Sequence, residues 1–110
     1  MSEVLISPLA KADMAEIADY IRRELHNGGA AARLLRRFRE AMEGLRDYPE
    51  SGARLLPGKP DRSPYRYLVC GNYLIFYHLE GQRALVDRVI YGRRDYMAIL
   101  FGNSLEDETE

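Results

Sequence analysis

The sequence predicts an α+β fold: an N-terminal strand and a helical hairpin packed on a C-terminal antiparallel β-meander. Three observations carry this prediction. Apolar residues recur at spacings of three and four from Ala10 to Leu45, the period of helices with one buried face. Three runs rich in branched and aromatic residues follow, joined only by Gly71-Asn72 and Gly81-Gln82, pairs that suit tight hairpins. A length of 110 residues accommodates one core and is short for two.

The elements follow in order. "VLIS", Val4 to Ser7, is a short branched run and reads as the first strand. Ser7 and Pro8 then open a helix, because a serine oxygen accepts an orphan N–H and proline fits the first helical position. Ala10, Met14, Ile17, Ile21 and Leu25 place one stripe along that helix, and "HNGG" from His26 to Gly29 stops it. From Ala30 a second stripe runs through Leu34, Phe38, Met42 and Leu45, with Arg33, Arg36, Arg37, Arg39 and Glu40 mostly off it. Tyr48 to Tyr65 contains four of the five prolines and reads as a loop.

The strands are expected over Tyr65 to Cys70, Asn72 to Glu80 and Arg83 to Tyr91. The middle one is apolar on both sides: Tyr73, Ile75, Tyr77 and Leu79 on one, Leu74, Phe76 and His78 on the other. Such a strand needs cover on both faces. The helices can supply one face, which leaves the other to the short segment after Arg94 and to a partner protein. The expected domain is 1–101, followed by an acidic tail, 102–110, whose composition predicts disorder.

Composition excludes several classes. No apolar run approaches the roughly 20 residues that span a bilayer, and the N-terminus lacks the order of a secretory signal. A cytoplasmic location is expected, and Cys70, the sole cysteine, allows no internal disulfide. The net charge of −1 hides an asymmetry. Residues 51–101 carry 8 basic and 4 acidic side chains, while the tail carries 4 acids and no base. A basic surface for RNA, DNA or an acidic peptide is therefore allowed.

Nucleotide and zinc motifs are absent, so no metal and no cofactor are expected. His26 falls in a loop and His78 in a strand, and spacing sets no cysteine or carboxylate beside either at ligand distance. His78 is expected to be a structural histidine and Cys70 a small buried hydrophobe. The remaining candidates are Tyr65, Arg66, Tyr67, Tyr73, Tyr77, Arg88, Tyr91, Arg93, Arg94 and Tyr96. Tyrosines on strands serve first as core or cross-strand pairs. Arg66 and Arg88 interrupt apolar strands, and each must reach solvent or meet an anion.

Strand, helix hairpin, basic loop and meander, with "GNYLIFY" (Gly71 to Tyr77) and "RVIYGRRD" (Arg88 to Asp95), resemble the RelE/ParE superfamily of toxins from type II toxin–antitoxin modules. The resemblance runs from Val4 to Phe101. It implies an antitoxin whose C-terminal segment wraps the toxin. The RelE branch cuts ribosome-bound mRNA with basic groups and a C-terminal proton-transfer residue; here Arg66, Arg94 (or Arg93) and Tyr96 would be the catalytic set. Leu68, Leu74 and Leu100 occupy the other positions of that pattern.

The losses favour the ParE branch, whose members inhibit DNA gyrase and need no catalytic residue. On that reading Arg66, Tyr73, Arg93, Arg94 and Tyr96 contact the target or the antitoxin. Arg94 either pairs with Asp95 or another acid, or joins Arg93 in presenting charge. Expected partners are a cognate antitoxin and gyrase, with ribosome and mRNA as the alternative target. No membrane is involved, and DNA is met only through the antitoxin. A non-toxic interaction module of the same fold is the third possibility.

Overall fold

A computed structural model describes residues 2–56 and 63–102. The acidic tail from 103 onward lies outside the described residues, as does the middle of the long loop. The elements are β1 (Glu3–Ile6), α1 (Pro8–Glu24), α2 (Gly28–Glu43), a 3-10 turn (Gly44–Arg46), β2 (Ala53–Arg54), β3 (Arg66–Cys70), β4 (Tyr73–Glu80), β5 (Arg83–Tyr91) and α3 (Tyr96–Phe101). They form one five-stranded sheet in the order β1-β5-β4-β3-β2 with α1 and α2 on one face.

The local signals act as expected. The Ser7 hydroxyl accepts the Ala10 N–H at 3.0 Å and Pro8 begins α1. Asn27 caps α2 in the same way, and the helix begins at Gly28, two residues before the predicted start and within the stretch His26 to Gly29 that was read as a stop. Gly71 and Gly81 both take φ near +61° in the hairpin turns, where a Cβ would be strained. Leu25 departs from its predicted stripe. It is the C-cap residue of α1 and is exposed, because the helix ends before its side chain can reach the sheet.

Two features of the sheet are non-local. β1 does not merely pack on the meander; it joins β5 in parallel register, Glu3 opposite Arg83 through Ile6 opposite Val86. β2 extends the other edge, Ala53 opposite Tyr67. Between β4 and β5, Phe76 faces Arg88 while Tyr77 faces Val86, so Asp87 is an extra residue, a β-bulge.

The helix-side core unites Phe38, Met42 and Leu45 with Ile75, Tyr77, Ala84, Val86 and Val89. Tyr77 is fully buried, and its hydroxyl accepts the Gly52 N–H at 2.9 Å and donates to the Pro49 carbonyl at 2.8 Å. Gly52 is forced by this contact. A Cβ there would stand 2.6 Å from the tyrosine ring and hydroxyl.

The outer face corrects the sequence reading only in part: Val69 is 69% exposed there, as partial cover predicts, yet Phe76 is 0% and Ile90 1% exposed beneath the segment after Arg94. A helix of six residues suffices because its ends are aromatic: Tyr96 lies over Phe76 at 5.3 Å and Phe101 meets Tyr65 edge-on at 5.6 Å. The centre of this face needs no partner.

Where β1 ends, α1 takes over the edge of β5. Ser7 N–H donates to the Val86 carbonyl and the Ser7 hydroxyl to the Asp87 carbonyl. Asp13 then accepts the Val89 N–H at 2.9 Å and a bidentate pair from Arg88 at 2.8 and 2.9 Å. Asp13 is buried, and without these donors its charge would be very costly there.

Two stability outcomes follow. Asp13→Ala leaves the Arg88 charge and the Val89 N–H unmatched and should cost about 3 kcal/mol in urea unfolding. Tyr77→Phe leaves the buried Gly52 N–H without its acceptor and should cost about 1–3 kcal/mol in the same measurement.

Candidate functional site

Beyond Val89 the edge of β5 has no strand beside it. Val89 N–H and Tyr91 C=O both point to that edge, to Asp13 and to the Arg94 N–H respectively. By the two-residue period of a strand, the Tyr91 N–H points there as well. Between this edge and α1 runs a groove of about 510 Å³. Its helix side is Asp13, Glu16, Ile17 and Tyr20; its sheet side is Tyr73, Val89 and Tyr91, with Arg94 at the end.

The helix side is one ridge, since i, i+3, i+4 and i+7 fall on one face. That spacing is present in the sequence, but only Ile17 of the four belongs to the apolar stripe, so Asp13 and Tyr20 do not stand out in it. Tyr73 is held edge-on to Phe38 at 5.5 Å and tilted against Tyr91 at 5.6 Å. Burial raises the Tyr73 phenol above its ordinary value, and Tyr91 and Tyr20 raise it further. Tyr20 is 56% exposed. The groove is thus lined mainly by apolar and aromatic side chains, with the exposed carboxylate of Glu16 on the helix side and the cation Arg94 at its rim.

Arg94 is exposed and has no ion-pair or side-chain hydrogen-bond partner among the described residues; Arg93 is the same. Asp95 does not pair with Arg94. Its carboxylate caps α3 by accepting the Ala98 N–H. Tyr73 and Arg94 therefore share one site.

The other candidates lie elsewhere. Arg66 donates to the carbonyls of Glu50 and Gly52, which ties β3 to the loop beside Tyr77. Tyr96 packs on the outer face of the sheet. Arg66, Arg94 and Tyr96 do not converge on one cavity. Arg88 meets its anion in Asp13. Cys70 is buried, and burial raises its thiol pKa more than the nearby Arg37 lowers it.

His78 corrects a second expectation, that no carboxylate stands near it. The bulge brings Asp87 to 2.7 Å from Nδ1, and Glu80 lies 3.1 Å from Nε2. Burial alone would favour the neutral ring, but the two carboxylates outweigh it and raise the His78 pKa. Burial also raises Asp87, more than His78 lowers it. Among the described residues no group of His, Cys, Asp and Glu is placed to hold a metal ion. No described helix is long and apolar enough to cross a membrane.

Three comparisons bear on this architecture. The family model described as the ParE toxin of the type II toxin–antitoxin system parDE matches residues 4–96. A chain from a solved structure titled as the chromosomal ParDE toxin–antitoxin system from P. aeruginosa is similar in fold, with a TM-score of 0.67 at 20% identity. That match covers 83% of this chain and 96% of the other. A comparison with curated proteins finds no match.

The His78 cluster sets a pH dependence. Both His78 and Asp87 hold protons more tightly folded than unfolded, so folding takes up protons and stability rises as pH falls. The His78 part is complete below its unfolded value near 6.5 and is lost as pH rises through the higher folded value. Thermal melts should show the midpoint rising from about pH 8 to about pH 6, and His78→Gln should flatten that rise.

Proposed function

Because the chain belongs to the ParE toxin family of type II toxin–antitoxin systems, we propose that it arrests growth by inhibiting DNA gyrase and is neutralised by a cognate antitoxin seated in the α1–β5 groove. The observation that carries the second part is the open groove itself. It joins the edge of β5 at the Tyr91 N–H, the aromatic side chains Tyr20, Tyr73 and Tyr91, and the unpartnered cation Arg94. An extended antitoxin segment can hydrogen-bond to that edge, place apolar side chains against the tyrosines and set a carboxylate on Arg94. Tyrosines and arginine are the residue types that dominate binding energy at protein interfaces.

The first part rests on the family and on the sequence pattern. Cleavage of mRNA draws no support from the geometry, since Arg66 is spent on backbone carbonyls and Tyr96 on Phe76. The proton-transfer positions of that pattern hold leucines.

Supercoiling by purified gyrase should be lost when the chain is added, and induced expression should arrest growth. Undiminished supercoiling would count heavily against the target. Co-expression with the cognate antitoxin should restore growth. Tyr20→Ala, at a side chain 56% exposed, should weaken that complex by about tenfold or more while leaving the melting temperature nearly unchanged. Unchanged affinity in this variant would place the antitoxin elsewhere.

A further inference from the structure

We infer that the end of the molecule formed by α2, the β3–β4 turn and the terminus of β5 is a binding surface for the phosphate backbone of duplex DNA, contacted by Arg33, Arg37, Arg93 and Arg94. The inference begins from the arginines that the fold already uses. Arg88 is paired to Asp13, Arg46 to Glu43, Arg23 to Asp19 and Arg83 to Glu3. Arg66 is bound to loop carbonyls. Arg22 and Arg39 share a groove with Glu16 and Asp19.

Arg33, Arg37, Arg93 and Arg94 are all exposed, and none has a carboxylate or carbonyl partner among the described residues. They also share one end of the fold. Arg37 lies over the β3–β4 turn, where a Cβ on Gly71 would stand 3.5 Å from its Nη1. The next residue of that turn, Asn72, accepts the Gly92 N–H at 2.8 Å, and Arg93 and Arg94 follow directly. Arg33 is one turn before Arg37 on the same ridge of α2.

The acids nearby do not neutralise this end. Asp95 is committed to the α3 cap, and Glu16 lies across the groove on α1. Glu40, three residues after Arg37 on α2, makes no ion pair with any of the four. Four unpaired guanidinium groups at one end form a local field suited to a polyanion. Arginine meets phosphate through a planar fork of donors.

Backbone contact to a duplex is favoured over stacking on a single strand. Tyr73 packs on Phe38 and Tyr91, and the exposed rings of Tyr20 and Tyr91 line the α1–β5 groove, so the arginines outside that groove meet phosphate through their donors. This departs from the sequence expectation that DNA is met only through an antitoxin. It does not depend on gyrase being the target.

The test is fluorescence anisotropy of a labelled 20-base-pair duplex of arbitrary sequence, titrated with the full chain between about 50 and 200 mM salt. Four phosphate contacts predict a log–log slope of about −3.6, at 0.9 per contact. Arg33→Gln with Arg37→Gln, and separately Arg93→Gln with Arg94→Gln, should each reduce the slope by about 2. The four side chains have no internal partner, so both variants should keep the parent melting temperature; if one pair misfolds, the other still decides. No binding at the lowest salt, slopes unchanged in the variants, or tighter binding of a single-stranded RNA of equal length would overturn the inference. Loss of gyrase inhibition with duplex binding intact would remove the proposed target and leave this surface standing.

Discussion

The geometry of the chain depends on one buried carboxylate. β1 can pair with β5 only as far as Ile6, because Pro8 has no N–H to give and starts a helix instead. From Asp87 onward the edge of β5 would be left open under α1. Asp13 meets the Val89 N–H there, and Arg88 makes its charge tolerable. The bulge at Asp87 is part of the same arrangement: it sets Arg88 opposite Phe76, and from there the guanidinium meets Asp13 at the strand edge. α1 is thereby fixed to β5 at one point. Beyond that point the two elements separate, and the groove is the space between them.

This dependence explains what was legible in the sequence. Caps, stripes and hairpin turns are set within a few residues, so Ser7, Asn27, Gly71 and Gly81 take the roles their local chemistry gives them. The strands of the meander follow from the same short-range rules. The parallel pairing of β1, the two-residue β2 and the bulge join residues far apart in the chain, and no local pattern specifies them. His78 illustrates the cost of missing one bulge: the extra residue brings a carboxylate to 2.7 Å that spacing alone had excluded. The outer face was legible in part. Its central cover comes from only six residues, two of them aromatic and set against Phe76 and Tyr65, while Val69 stays exposed.

The candidate site was half legible. Tyr73 and Arg94 stood out by type and position, and they do line one groove. Asp13, Glu16, Ile17 and Tyr20 were visible as a helical ridge but mix acid, apolar and phenolic groups, so a search for hydrophobic periodicity dissolves them. For the arginines the limit is physical. Arg66 and Arg88 look alike in the sequence, yet one is held by carbonyls 14 and 16 residues away and the other by a carboxylate 75 residues away. Only the fold separates arginines already used from those still free.

Arg94 belongs to both proposed surfaces, and this couples them. It closes the end of the groove in which an antitoxin segment would lie, and it continues the basic end that reaches Arg37 through the Gly71-Asn72 turn. A carboxylate placed on Arg94 from the groove side removes one guanidinium from the other surface and weakens the field of the three that remain. Binding at the two surfaces is then antagonistic, and thermodynamic linkage makes the antagonism mutual: each ligand lowers the affinity for the other by the same factor. A single exposed side chain shared between an aromatic groove and a basic rim is enough to produce that effect, with no change in backbone structure.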